Sequence, residues 1–84
     1  MKNKKNLIKQ IIYRSSHRGS KEMDLLLGNF VKKYINVFDD KDLSDLYELL
    51  SIEDEIIYKW YFKKEYNLII ANNKITKMLK EYKF

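Results

Sequence analysis

The sequence predicts an all-α protein, a compact five-helix bundle that forms one small domain over residues 1–84. Apolar residues recur at the spacing of one helix face in five separate stretches. The chain contains no proline, and it has neither internal repeats nor low-complexity segments. A chain of 84 residues has room for only one hydrophobic core. We therefore expect five short helices packed around a single core.

The first two predicted helices are joined by a short polar connector. The first runs from Asn3 to about Ser15, and the second from Ser20, as N-cap, to Tyr34 or Ile35. We expect His17 in the connector to be a solvated turn residue. Within the second helix Gly28 indicates close packing against another helix, and Asn36 is expected to end it.

Polar residues also mark the starts of the later helices. Asp39 and Asp42 predict a capping box that opens the third helix, and Ser51 with Asp54 resembles a second box at the start of a fourth helix over residues 53–62. A last helix is expected from about Asn72 to Tyr82. Between these two helices, residues 63–71 are either an extended connector or frayed helix, and 68–70 are also compatible with a short strand.

The net charge of +5 is distributed in a basic, acidic, basic order. Residues 1–21 carry seven Lys or Arg and no acid, residues 39–55 carry eight acids and one lysine, and residues 59–83 carry seven lysines and two acids. This order lets oppositely charged helices lie side by side, and its acidic patch would repel phosphates.

Several classes of function find no support in the residue pattern. The chain has no cysteine and one histidine, which excludes thiol chemistry and leaves no metal-ligand set. The aspartates at 39–42 lack the glycine and glutamate of a calcium loop. No apolar run approaches the roughly 20 residues that span a membrane. We expect a non-enzymatic protein of the bacterial cytoplasm, with no membrane insertion and no transit segment.

The stretch from Arg18 to Leu25 is the leading candidate for a functional site. Gly19 marks a position where the backbone turns with φ > 0 or is closely approached. If the second helix reaches back to Arg18, then Arg18, Glu22, Leu25 and Asn29 share its outer face. The plainer interpretation is a helix start with an ordinary Arg18–Glu22 ion pair, whereas an exposed Leu25 favours a partner.

The run from Tyr13 to Phe30 resembles the signature of the succinate dehydrogenase flavinylation factors, the bacterial relatives of mitochondrial succinate dehydrogenase assembly factor two. Their Arg-Gly-x-x-Glu hallmark is matched by Arg18, Gly19 and Glu22, followed by Met23 and Asp24. Five residues or pairs downstream fit the second half of the family pattern: Leu43, Tyr47, Leu49-Leu50, Asp54 and Trp60.

The resemblance implies a helper protein that binds the flavoprotein subunit of succinate dehydrogenase, with fumarate reductase as a second candidate client. It would promote covalent attachment of FAD to a histidine of that subunit, with the FAD handled by the client and not bound stably by this chain. Arg18, Gly19 and Glu22 would form the contact site, with Asp24 and Leu25 as neighbours. In this interpretation Arg18 offers its donors to the client, and the free protein is a monomer.

Two other functions remain open at this point. Lysines interleaved with tyrosines near the C-terminus are compatible with a small basic nucleic-acid-binding protein, although the acidic helices argue against it. An antitoxin-like regulatory partner has no independent support in the residues.

Overall fold

The computed structural model describes residues 4–66 and 69–83, and over these residues the chain is all-α, as predicted. Five α-helices and one short 3-10 segment follow one another along the chain. They are α1 Lys4–Ser16, α2 Lys21–Tyr34, the 3-10 segment Ile35–Val37, α3 Asp40–Leu50, α4 Asp54–Phe62 and α5 Lys74–Glu81. None of the helices in these ranges has the length and apolar character that crossing a bilayer requires.

One hydrophobic core lies where α1 packs against α2 and α3, and where α3 packs against α5. The periodic apolar positions of each helix point into it. Its largest fully buried side chains include Ile11, Leu27, Phe30, Leu46 and Ile57. Burying whole aliphatic and aromatic side chains contributes about 1.5–3 kcal/mol each, so this core is the main source of stability.

Three helix starts are fixed by side-chain caps. Ser20 accepts a hydrogen bond from the Met23 amide, which confirms the predicted N-cap of α2. Asp39 and Asp42 form the predicted capping box of α3. A further box, between Asn73 and Thr76, opens α5 and was not anticipated from the sequence.

The predicted cap at Ser51 and Asp54 is wrong. Glu53 is the N-cap residue of α4 and makes no capping hydrogen bond through its side chain. The Ser51 hydroxyl donates to the Tyr47 carbonyl instead. Asp54 is the first residue of α4, and its carboxylate is engaged elsewhere.

The other local differences occur at helix ends. The α-helix α2 ends at Tyr34, and the 3-10 segment Ile35–Val37 follows it, so helical structure extends past the expected end at Asn36. Ile35 and Phe38, which flank Asn36, are both buried in the core, and this burial favours the extra turn. The possible strand at 68–70 is wrong at Ile69 and Ile70, which lie in a turn and a bend, while Leu68 is outside the described residues. Residues 63–66 form a connector.

Candidate functional site

Arg18 lies in the connector between α1 and α2, and α2 begins three residues later at Lys21. Because the helix does not reach back to it, Arg18 does not share the helical face of Glu22. The predicted Arg18–Glu22 pair is not formed, since the guanidinium turns inward to other groups. His17 beside it is exposed, as predicted, and its ring stacks on Tyr13 with centroids 4.0 Å apart.

The Arg18 guanidinium makes four hydrogen bonds and one ion pair inside the molecule. Nε donates to Asp54 Oδ1 at 2.7 Å, and Nη2 lies 2.6 Å from the same oxygen. Nη1 donates to the carbonyls of Arg14 and Leu50, and Nη2 also donates to that of Ile52. The Arg18 side chain is only 9% exposed. The expectation that this arginine offers its donors outward is therefore wrong.

Asp54 holds both Arg18 and the residue after it. While one carboxylate oxygen pairs with the guanidinium, Oδ2 accepts the Gly19 amide at 2.6 Å. At the first position of α4 the carboxylate also lies near the positive end of that helix, which favours its charge. Asp54 thus ties the α1–α2 connector to the α3–α4 connector, across 36 positions in sequence.

Gly19 is required for close approach and not for an unusual backbone angle. No glycine in the described chain has positive φ, so the proposed φ > 0 turn is not formed. A Cβ built on Gly19 would lie 3.1 Å from Asp54 Oδ2. That distance is tighter than an ordinary contact, and Arg18 prevents the carboxylate from moving freely. The group that approaches Gly19 is therefore the chain's own aspartate.

Asp24 completes this arrangement from the first turn of α2. Its Oδ1 accepts the Arg18 amide at 2.6 Å, and the side chain is half-buried. We call Arg18, Gly19, Asp24 and Asp54 the clasp. In the clasp, the backbone amides of Arg18 and Gly19 donate to Asp24 and Asp54, respectively. The Arg18 guanidinium adds a side-chain bond to Asp54.

Glu22 and Leu25 lie outside the clasp, on the exposed side of α2. Leu25 is 44% exposed, and Glu22 is also exposed. Among the described residues, no hydrogen bond or ion pair involves the Glu22 carboxylate. A shallow depression beside it is lined by Gly19, Met23 and Tyr58, so Glu22 stands at the edge of an open surface.

The sequence therefore placed Gly19, Glu22 and Leu25 at the surface correctly and missed the role of Asp54. Asp54 belongs to the resemblance pattern, but spacing alone cannot pair it with a residue in another connector.

No three His, Asp or Glu side chains within residues 4–66 and 69–83 come together in a way that could hold a metal ion.

The fold and this surface define a class of protein first: small helical proteins that present a few exposed groups on a rigidly held turn, an arrangement suited to binding another protein. The family follows from comparison of the sequence. The family model described as flavinator of succinate dehydrogenase matches residues 9–83, and the chain belongs to that family.

Individual relatives carry related names. The chain is 40% identical over 77 residues to a protein of Scheffersomyces stipitis named succinate dehydrogenase assembly factor 2, mitochondrial, covering 86% of this chain and 51% of that protein. An Arabidopsis thaliana protein of the same name is 36% identical, with 75% of this chain and 34% of that protein covered. A protein of Acetobacter pasteurianus named FAD assembly factor SdhE is 29% identical, with 86% and 63% covered.

The chain thus spans between about a third and two thirds of the length of these three relatives. Comparison with solved structures gave no significant match.

Proposed function

We propose that this protein is an assembly factor that binds the flavoprotein subunit of succinate dehydrogenase and promotes covalent attachment of FAD to it. Support comes from family membership over residues 9–83 and from a bacterial relative named as an FAD assembly factor. Fumarate reductase is a second candidate client. The compartment we propose is the bacterial cytoplasm, and the free protein is proposed to be a monomer.

The observation that carries the proposed site is an exposed glutamate beside a turn that is fixed from within. Glu22, Gly19 and Leu25 are proposed to contact the client. Arg18 and Asp24 are proposed to position the turn, because their hydrogen bonds go to the chain itself. A turn that is already ordered loses little conformational entropy when a partner binds to it.

The proposed mechanism requires no chemistry from this chain, and we propose that it is not an enzyme. The flavin and the acceptor histidine both belong to the client complex. A helper that favours the client conformation in which these two groups meet lowers the entropic part of the barrier. Its contribution is selective binding of one client conformation. FAD is proposed to stay with the client throughout.

Replacement of Glu22 tests this proposal. The Glu22→Ala variant should fold normally, since the carboxylate has no hydrogen bond or ion pair with the described residues. We expect it to weaken binding to the purified flavoprotein subunit by about ten-fold or more, as for a polar residue central to an interface. Covalent flavin in the client, read as in-gel fluorescence after denaturation, should fall with it.

The matched control is Glu48→Ala, which removes the same exposed side chain from α3. This variant should bind the client and support flavin attachment as the unchanged protein does. The proposal is wrong if the unchanged protein does not bind the flavoprotein. The assignment of the site is wrong if Glu22→Ala and Glu48→Ala behave alike.

A further inference from the structure

A groove between α1 and α2 lies next to the proposed contact site. Its volume is about 540 Å³, which falls in the range of pockets that bind ligands, about 300–1,000 Å³. Most of its exposed lining area is apolar, and apolar side chains come from Ile12 of α1, Val31 of α2 and Ile35 of the 3-10 segment. Polar residues also line it: Ser15, Ser16, Asp24, Asn29, Lys32 and Asn36.

Gly28 gives the groove its depth. This residue lies beside the end of α1, and a Cβ built on it would lie 3.6 Å from the Ser15 carbonyl oxygen. That spacing is an ordinary van der Waals contact. Alanine would therefore fit here, so helix packing alone does not require glycine. The missing side chain leaves open space along the groove instead.

Exposed apolar side chains occur in the groove and beyond it. Ile12, in the lining, is 47% exposed, and Leu25, further along the outside of α2, is 44% exposed. Leu25 lies three and four residues before Gly28 and Asn29, both of which line the groove, and three residues after Glu22. Residues at this spacing are neighbours on a helix surface, so the groove continues the proposed client contact site.

The charge around the groove indicates the chemistry of its occupant. Lys32 lines it, and Lys9 lies one helical turn before Ile12 on α1. Both lysines are exposed, and neither has an ion pair with another described residue. Asp24 also lines the groove and keeps its negative charge, which offsets that of Lys32. The excess of positive charge beside the groove comes from α1, which carries four basic residues and no acid.

We propose that the α1–α2 groove receives an apolar segment of the client flavoprotein that carries acidic residues beside its apolar side chains. This inference rests on the proposed function and adds the place and chemistry of a second contact. The apolar side chains of the segment pack over Gly28, Val31 and Ile35. Its carboxylates pair with Lys9 and Lys32, which steers the encounter and sets the direction of the segment.

Two surface variants test the groove without threatening the fold. Ile12→Ser should weaken binding to the purified flavoprotein subunit by about ten-fold, the loss typical of an apolar anchor at an interface. Lys32→Glu should weaken it by about ten-fold at low salt and by less at high salt, because screening reduces both attraction and repulsion. Ile69→Ser and Lys77→Glu are the controls, since both residues are exposed and lie outside the groove.

The outcomes separate this proposal from the proposed function. If Glu22→Ala weakens binding while Ile12→Ser and Lys32→Glu match their controls, the groove proposal is overturned and the proposed function stands. If the unchanged protein does not bind the flavoprotein, both fail. Sedimentation of the free protein adds one more arm: a dimer that Ile12→Ser converts to a monomer would assign the groove to a second copy and overturn the proposal.

Discussion

Arg18 illustrates how an arginine that resembles a contact residue can serve as an internal support. Its guanidinium donates to three carbonyls and one carboxylate of the chain itself, and the side chain is only 9% exposed. A planar fork of donors suits this task, whereas a lysine in its place would offer one point charge. If the proposed contact site is correct, loss of Arg18 reduces client binding through the shape of the turn.

At the same scale, Asp54→Asn should destabilise the protein by about 2–4 kcal/mol. The change leaves the mostly buried guanidinium without its counter-charge and weakens the acceptor for the Gly19 amide. Urea unfolding measures the loss. Asp40→Asn removes a carboxylate that is 88% exposed and paired with Lys4, so it should cost less than about 1 kcal/mol. Equal effects of the two substitutions would show that the clasp contributes nothing special.

Substitution of Gly19 should affect both the contact with Asp54 and the exposed surface of the turn. Gly19→Arg should still give a folded domain, but it should abolish client binding because the new side chain covers the turn and pushes Asp54 aside. Gly19→Ala should cost about 1 kcal/mol from the crowded contact at 3.1 Å, with a smaller loss of binding. Circular dichroism checks the fold, and flavin attachment in cells that carry only the variant checks function. Normal attachment with Gly19→Arg would contradict the assignment.

At the scale of the helix, Gly28→Ala should stabilise the protein by up to about 1 kcal/mol. Alanine is the better helix former, and its methyl group would meet Ser15 only at ordinary contact distance. A rise in the melting temperature is the expected measurement. A loss of stability instead would mean that the α1–α2 contact is tighter than 3.6 Å implies.

Helix existence was predictable because each element is amphipathic, and the caps at Ser20 and Asp39 carried their usual residues. The failures occurred where one side chain had two possible partners. Asp54 has the spacing of a capping residue but pairs with Arg18. Leaving a buried guanidinium without a counter-charge costs more free energy than leaving an exposed helix start uncapped. Sequence spacing reports local partners, so it could not identify a partner in another connector.

At the scale of the whole molecule, ion pairs join the two basic parts of the chain to the acidic part between them. Lys4 pairs with Asp40 at 3.6 Å, Arg18 with Asp54 at 2.6 Å, and Lys74 with Asp42 at 3.1 Å. The prediction that oppositely charged helices lie side by side is therefore confirmed. The lysines near the C-terminus are used partly for this purpose, since Lys74 links α5 to α3.

Asp42 makes the stability of the whole fold depend on pH. Burial alone would raise the pKa of this carboxyl group, but hydrogen bonds from Lys74 and from Asp39 outweigh it and hold the pKa below its ordinary value of 3.8. The stabilisation is therefore complete above pH 3.8 and is lost as the pH falls through the lower folded-state pKa.

Comparison with Asp42→Asn isolates this effect. At pH 7 the variant should be less stable, because the amide lacks the charge that pairs with Lys74. The difference in the free energy of unfolding between the two proteins should shrink when urea titrations are repeated at successively lower pH below 3.8. A difference that does not change with pH would exclude Asp42 as the titrating group.

The clasp has a consequence for biosynthesis, since its two halves leave the ribosome at different times. Arg18 emerges early, but its guanidinium stays without Asp54 until α4 has been translated. In a nascent chain that ends before α4, the Arg-Gly turn lacks the hydrogen bonds that Asp54 supplies. The turn proposed as the contact site therefore becomes fixed late in translation, after the acidic part of the chain is available.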